Sequence, residues 1–301
     1  MTASIQKILQ HHSKLLEEVL NLDSSTAHIE VQCLLQAVLQ VNRAYLMTHP
    51  EQSLNDEQRA TYTALFERRR CGEPVAYVLG EREFFGLNFK ISPATLIPRP
   101  ETELLVELAL QRIAQQGVCR VLDLGTGSGS IALSIAHARP NADVLAIDKS
   151  AAALQVARLN AHELHVCNVR LLHSDWFAAL QNACFDVIVC NPPYVAVADE
   201  HLTQGDVRFE PRSALVSGLD GLDDIRLITT QASTHLNNNG WLLIEHGHDQ
   251  AAKVVALLQQ AGFSGVFSAP DLAGIERVSG GRICRNSLDA VGRAQLKCPT
   301  I

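Results

Sequence analysis

Asn191, Pro192, Pro193 and Tyr194 stand directly behind an apolar run, CFDVIVC at 184–190, whose length and β-branched content predict a buried strand. The two prolines fix φ and carry no N–H, so the Pro192 carbonyl is left as a rigid acceptor outside regular structure. Asn191 places a side-chain carbonyl beside it, and Tyr194 offers a flat ring. Two acceptors and a ring face suit a planar NH2 group. The acceptors take its two hydrogens, the ring covers its plane, and the nitrogen lone pair is aimed at an electrophilic carbon delivered by a cofactor.

A second constellation lies upstream, where CRVLDLGTGSGSIALSIA supplies Gly125, Thr126, Gly127, Ser128 and Gly129 between a strand and a helix. Glycines let the backbone turn tightly against a ligand, and the helix offers free N–H groups. GTGSGS lacks the last glycine of a dinucleotide fingerprint, and no GK[ST] follows to cradle a triphosphate. The next strand, ADVLAID, ends at Asp148, an acid placed to accept hydrogen bonds from two ribose hydroxyls. NAD and S-adenosylmethionine both satisfy that placement. In HSDWFAAL, Asp175 is placed to meet an adenine amino group and Trp176 to cover a ring face, which favours an adenosyl group without a pyrophosphate.

Residues 103–286 alternate helical and strand patterns, with strands predicted at 119–124, 143–148, 168–173, 184–190, 240–246, 263–269 and 279–285. This is an α/β chain: a doubly wound, seven-stranded parallel sheet covered by helices. Residues 1–80 instead carry helical periodicity, with helices predicted near 4–20, 26–46 and 55–69, and form a small N-terminal helical domain. Between them, 81–102 reads as a hairpin linker. Arg68, Arg69 and Arg70 read as a solvated helix end or a partner patch. Arg99, between two prolines, reads as an ion pair or a substrate contact. The loop at 195–220 is too long for a compact crossover and reads as functional. Glu245 and His246 end the fifth strand at the ligand-binding edge, though the chemistry requires neither. Residues 287–301 form a tail with little to pack.

Composition excludes several classes. At 301 residues and 47% hydrophobic the chain has a large core, and no apolar run is long enough for a membrane span. Its formal charge of −7 argues against a broad positive face for long duplex DNA. The eight cysteines form no CxxC pair, are read as buried thiols and point to no metal site. With no apolar leader in MTASIQKILQHH, a reducing cytoplasm is expected.

NPPY behind DLGTGSG resembles the class I S-adenosylmethionine-dependent methyltransferases that modify exocyclic or amide nitrogen. The whole chain to about residue 286 is similar to the protein-glutamine N5-methyltransferases of peptide chain release factors, the PrmC/HemK family. The similarity runs through GEPVAYVLGEREFFG, LIPRPETE, the glycine loop, NPPYV, FEPRSAL and ERVSGGR. It implies methyl transfer from S-adenosylmethionine, leaving S-adenosylhomocysteine, to the glutamine of the GGQ loop in class I release factors. It further implies a cytoplasmic monomer, no stable nucleic-acid binding and a docking role for the helical domain. Gly125 to Gly129 match the residues lining the methionine and ribose side, Asp148 the ribose acid and Trp176 the residue beside adenine. Asn191 to Tyr194 match the segment gripping the target glutamine. An adenine-N6 methyltransferase acting on nucleic acid would share every one of these residues, but needs a surface for the polynucleotide and a flipped base.

Overall fold

The computed structural model describes residues 4–285; the tail predicted at 287–301 lies outside the described residues. The chain divides into two compact units, one of Met1–Glu81 with Glu200–Phe209 and one of Arg82–Asp199 with Glu210–Ile301.

The first unit is helical. α1 (Ile5–Leu20) stops where Asn21 turns left-handed at φ 53°, and Asp23 caps α2 (Ser24–Leu39) by accepting from the Thr26 N–H at 2.9 Å. The helix predicted over 26–46 is broken in two. Gln40 turns left-handed at φ 53°, and the Asn42 side chain accepts from the Tyr45 N–H at 3.0 Å to start α3 (Arg43–Thr48). Apolar spacing carries across this break, so periodicity could not reveal it. α4 (Asp56–Arg70) opens on a reciprocal capping box between Asn55 and Gln58, and the short α5 (Val75–Leu79) ends at Gly80. Ile5, Leu16, Val31, Leu35, Tyr62 and Phe66 belong to the core these helices share.

The arginine run is not one solvated end. Arg68 pairs with Glu73 at 2.6 Å and Arg70 with Glu67 at 2.7 Å, both part-exposed. Arg69 is only 2% exposed: its guanidinium grips Glu30 through Nε at 2.7 Å and Nη2 at 3.0 Å. Its Nη1 donates to Asp206 and to the carbonyls of Gly72 and Glu73. A buried guanidinium needs this many acceptors, and the Glu200–Phe209 segment supplies one of them.

The second unit opens with a hairpin of β1 (Glu81–Phe84) and β2 (Leu87–Lys90), whose Phe84 and Phe89 are buried in the sheet's core. The segment predicted as a linker is thus packed into this unit. A 3-10 turn at Pro100–Thr102 leads into α6 (Glu103–Leu110). There follow β3 (Arg120–Leu124), α7 (Ser130–Ala138), β4 (Asp143–Asp148), α8 (Ala151–Glu163), β5 (Val169–His173) and β6 (Phe185–Cys190). After the long loop come α9 (Asp223–Ala232), β7 (Leu236–Glu245), α10 (Ala251–Gln260), β8 (Ser264–Pro270) and β9 (Glu276–Arg282). The seven-stranded sheet has the order β5-β4-β3-β6-β7-β9-β8. β9 runs opposite to the other six strands, so the sheet is mixed rather than wholly parallel. Two apolar clusters include Val121, Val144 and Val187 in one and Leu122, Leu145 and Ile188 in the other, the alternation expected when both faces are covered.

Asn160 of α8, itself buried, fastens the hairpin to the glycine loop. Its Nδ2 donates to the Lys90 carbonyl at 2.9 Å and to the Ser128 carbonyl at 2.8 Å, and its Oδ1 accepts from the Lys90 N–H at 2.7 Å. The cysteines depart from expectation. Cys119 and Cys190 are buried free thiols, but Cys71, Cys167 and Cys284 are exposed because they lie at element ends.

Candidate active site

The strand ends meet where the sheet order reverses. Leu124 is in register with Ile147 on one side and with Cys190 on the other, so Gly125, Asp148 and Asn191 emerge side by side at the carboxyl edge. Such a switch point is where open α/β sheets bind ligands. A cavity of about 310 Å³ lies there, lined by Gly125 to Ser128, Asp148, Asp175, Trp176, Asn191 and Pro193.

The glycine loop is held from below. Asp123 is fully buried and accepts from the Thr126 hydroxyl at 2.6 Å, while burial pushes its carboxyl up to about 7. At Gly129 the backbone holds φ 85° and a Cβ would stand 2.9 Å from Leu133 and 3.3 Å from Ala157, so a larger residue would be strained and crowded where α7 begins. Asp148 accepts from the Gly127 N–H at 2.9 Å through Oδ2 and from the Ser150 N–H at 2.8 Å through Oδ1. A carboxylate has about four acceptor sites, so two are left for a vicinal diol in the cavity. Trp176 holds a positive φ of 46° and its indole N–H donates to Asp224 at 3.1 Å, fixing the ring at the wall. A diol acceptor, a flat ring and an exposed carboxylate at Asp175 suit an adenosyl group joined to a short polar chain.

The tetrapeptide is divided by the structure. Asn191 and Pro193 line the cavity; Pro192 and Tyr194 do not. Asn191 Nδ2 donates to Thr102 Oγ1 at 3.3 Å, and the Tyr194 hydroxyl donates to Glu245 at 3.4 Å. Burial pushes the Tyr194 phenol well above its ordinary range, so it stays a hydrogen-bond donor. The Tyr194 carbonyl accepts from Gln250 Nε2 at 3.0 Å and is crowded by Gly221, where a Cβ would stand 2.2 Å from that oxygen. These contacts lock the backbone of the segment.

Sequence reasoning marked the far wall only through Arg99 and the long loop at 195–220, without its other residues. Thr95, Leu96, Pro98, Arg99 and Thr102 from the LIPRPETE stretch, with Pro211, Ser213 and Ala214, complete the cavity. Arg99 pairs with Glu210, whose carboxylate also accepts from the Ile97 N–H at 3.1 Å, so the residue is ion-paired while it lines the cavity. Two prolines bracketing an arginine, and an acid before proline in the long loop, were the only signals for this wall. His246 is buried, bonded to the Gly247 carbonyl and to Ser279, and serves structure. Among the described residues no group of three or more His, Cys, Asp or Glu is placed to hold a metal ion.

Comparison with known proteins agrees with this geometry. Residues 7–80 match a family model described as the PrmC N-terminal domain, and residues 101–208 match the methyltransferase small domain. A release factor glutamine methyltransferase of Xylella fastidiosa is 50% identical over 254 residues, covering 84% of this chain and 92% of that one. One from Coxiella burnetii is 43% identical over 270 residues, covering 90% and 97%. Among solved structures, a T. thermophilus 16S rRNA methyltransferase in complex with AdoMet and guanosine is 22% identical. Its TM-score is 0.51, with 68% of this chain and 50% of that one covered, and it bears on the fold alone.

Proposed function

The chain belongs to the release factor glutamine methyltransferases, which carry a methyl group from S-adenosylmethionine to N5 of the glutamine in the GGQ loop of release factors, and we propose how its residues divide that work. The observation that carries the assignment of roles is that Asn191 and Asp148 line one cavity at the switch point of the sheet.

S-adenosylmethionine supplies an electrophilic methyl on a sulfonium. The cofactor side of the cavity is given to Gly125, Thr126, Gly127 and Ser128, with Gly129 turning the chain into α7 behind them, to Asp148 for the ribose, and to Asp175 and Trp176 for the adenine. The substrate side is given to the Asn191–Tyr194 segment, of which Asn191 and Pro193 line the cavity and Pro192 and Tyr194 flank them. A carboxamide nitrogen is a weak nucleophile because its lone pair is delocalised into the carbonyl, and no side chain of ordinary pKa deprotonates it beforehand. Asn191 Oδ1 and the Pro192 carbonyl accept its two hydrogens and favour the positive charge that develops on nitrogen. They also hold the lone pair in line with the methyl. The proton leaves during or after transfer, without a dedicated base. The same reading has the protein act as a cytoplasmic monomer on class I release factors, without stable nucleic-acid binding. The net charge of −7 supports the last of these.

Incubation with labelled S-adenosylmethionine, release factor and DNA, followed by mass mapping, is the test. Label is expected on the GGQ glutamine; label on adenine alone would overturn the reading. Replacing Asp148 tests the cofactor side. Asp148→Ala removes a charge-assisted pair of acceptors worth about 1.5–3 kcal/mol, so KM for S-adenosylmethionine should rise about 10- to 100-fold. At saturating cofactor kcat should change little; a kcat loss with KM unmoved would remove Asp148 from the binding role.

A further inference from the structure

We propose that Arg99, fixed in direction by Glu210, binds the α-carboxylate at the amino-acid end of S-adenosylmethionine. The proposal rests on the cofactor placement given above and adds the residue that receives the far end.

The carboxyl edge of the sheet orders the cavity. With the strands running β5-β4-β3-β6, Trp176 after β5 comes first, then Asp148 at the end of β4, the glycine loop after β3 and Asn191 after β6. An adenosyl group spanning Trp176 and Asp148 therefore leaves its amino-acid chain on the side of the glycine loop and Asn191. Residues from 94–102 wall off that side. The Pro100–Thr102 turn brings the wall against the site: Thr102 Oγ1 accepts from Asn191 Nδ2 at 3.3 Å, and the Thr102 N–H donates to the Arg99 carbonyl at 3.1 Å.

Charge then selects the residue. The α-carboxylate is the cofactor's anionic group. Of the charged side chains lining the cavity, Asp148 and Asp175 are acids, and Lys149 follows Asp148 on the adenosine side. Arg99 is the cation on the opposite wall. Its Nη2 donates to Glu210, whose side chain is fully buried and also accepts from the Ile97 N–H at 3.1 Å. Among the described residues Nε and Nη1 have no hydrogen-bond partner, yet neither is sealed from solvent. With one Nη2 proton given to Glu210, a complete edge of the planar guanidinium is left to pair with both oxygens of a carboxylate.

Glu210 also tempers the charge. An unpaired guanidinium would repel the sulfonium and the α-ammonium of the same ligand, whereas one paired with a buried carboxylate offers directed N–H groups with little net charge. The target glutamine fits Arg99 poorly. Its NH2 needs acceptors, and a guanidinium on its carbonyl oxygen would draw the nitrogen lone pair further into the amide and slow transfer.

Two ligands that differ only at the carboxylate provide the test: S-adenosylhomocysteine and its decarboxylated counterpart, titrated calorimetrically into the full chain. The wild-type protein should bind the first more tightly. Arg99→Met should weaken S-adenosylhomocysteine about 10- to 100-fold and the decarboxylated ligand less than about twofold, collapsing the preference. Arg99→Lys, which keeps the charge without the planar edge, should fall between. Weakening of both ligands alike, or of neither, would overturn the proposal; a raised KM for release factor beside unchanged ligand affinities would reassign Arg99 to the substrate. A wild-type protein that binds both ligands equally would also refute it, and that result needs no variant to fold. Asp148→Ala separates the proposal from the placement beneath it: both ligands carry the ribose and should weaken together, and an Asp148→Ala that weakens neither would sink the placement itself.

Discussion

Asn191→Ala is expected to lower kcat about 10²- to 10³-fold, the size of effect seen when one preorganised polar contact to a developing charge is removed. The effect is differential. The amide nitrogen is nearly neutral before transfer and cationic during it, so an acceptor bonded to its hydrogens is stronger in the transition state than in the bound substrate. Loss should therefore fall on kcat. Cofactor affinity should weaken far less, because Asp148 and the glycine loop occupy the other side of the cavity. Single-turnover methylation of the release factor with cofactor saturating separates the two. An unchanged rate constant for the chemical step would end the proposal that positioning by Asn191 supplies the catalysis.

Glu30→Ala is expected to cost the helical unit about 3–5 kcal/mol, because it leaves Arg69 buried with its main counter-charge gone. Asp206 and two backbone carbonyls would remain on Nη1, but Nε and Nη2 would lose their acceptor altogether. Glu30→Gln keeps one acceptor oxygen and should cost less. Urea unfolding followed on a probe in the helical unit measures both. A cost below about 1 kcal/mol for Glu30→Ala would place this pair with exposed ion pairs, which contribute little.

What the sequence revealed and what it hid follow from the range of the interactions. The glycine loop, Asp148 and Asn191 were readable because each sits at the end of an apolar strand, and parallel strands in register bring their ends together. All seven strands fell close to where apolar runs placed them. The antiparallel β9 was not readable, since a buried strand has the same pattern in either direction. Tyr194 and Glu245 could not be joined from sequence, because they meet only once β7 has docked beside β6. The arginine run misled for a related reason. Three like charges at a helix end look solvated until the fold supplies a buried acid 39 residues away.

Asp123 and Glu245, buried supports of the two halves of the cavity, also make folding a proton-consuming event. Both carboxyls have ordinary values near 4 and are raised to about 7 in the folded protein. At neutral pH the native chain therefore binds about one proton that the unfolded chain does not. The stability attached to these two groups is fully present below about pH 4 and is lost as pH rises from there through about 7. The two supports of the catalytic edge thus contribute most to stability under acidic conditions, and neutralising the solution takes that contribution away from the cavity's own foundations.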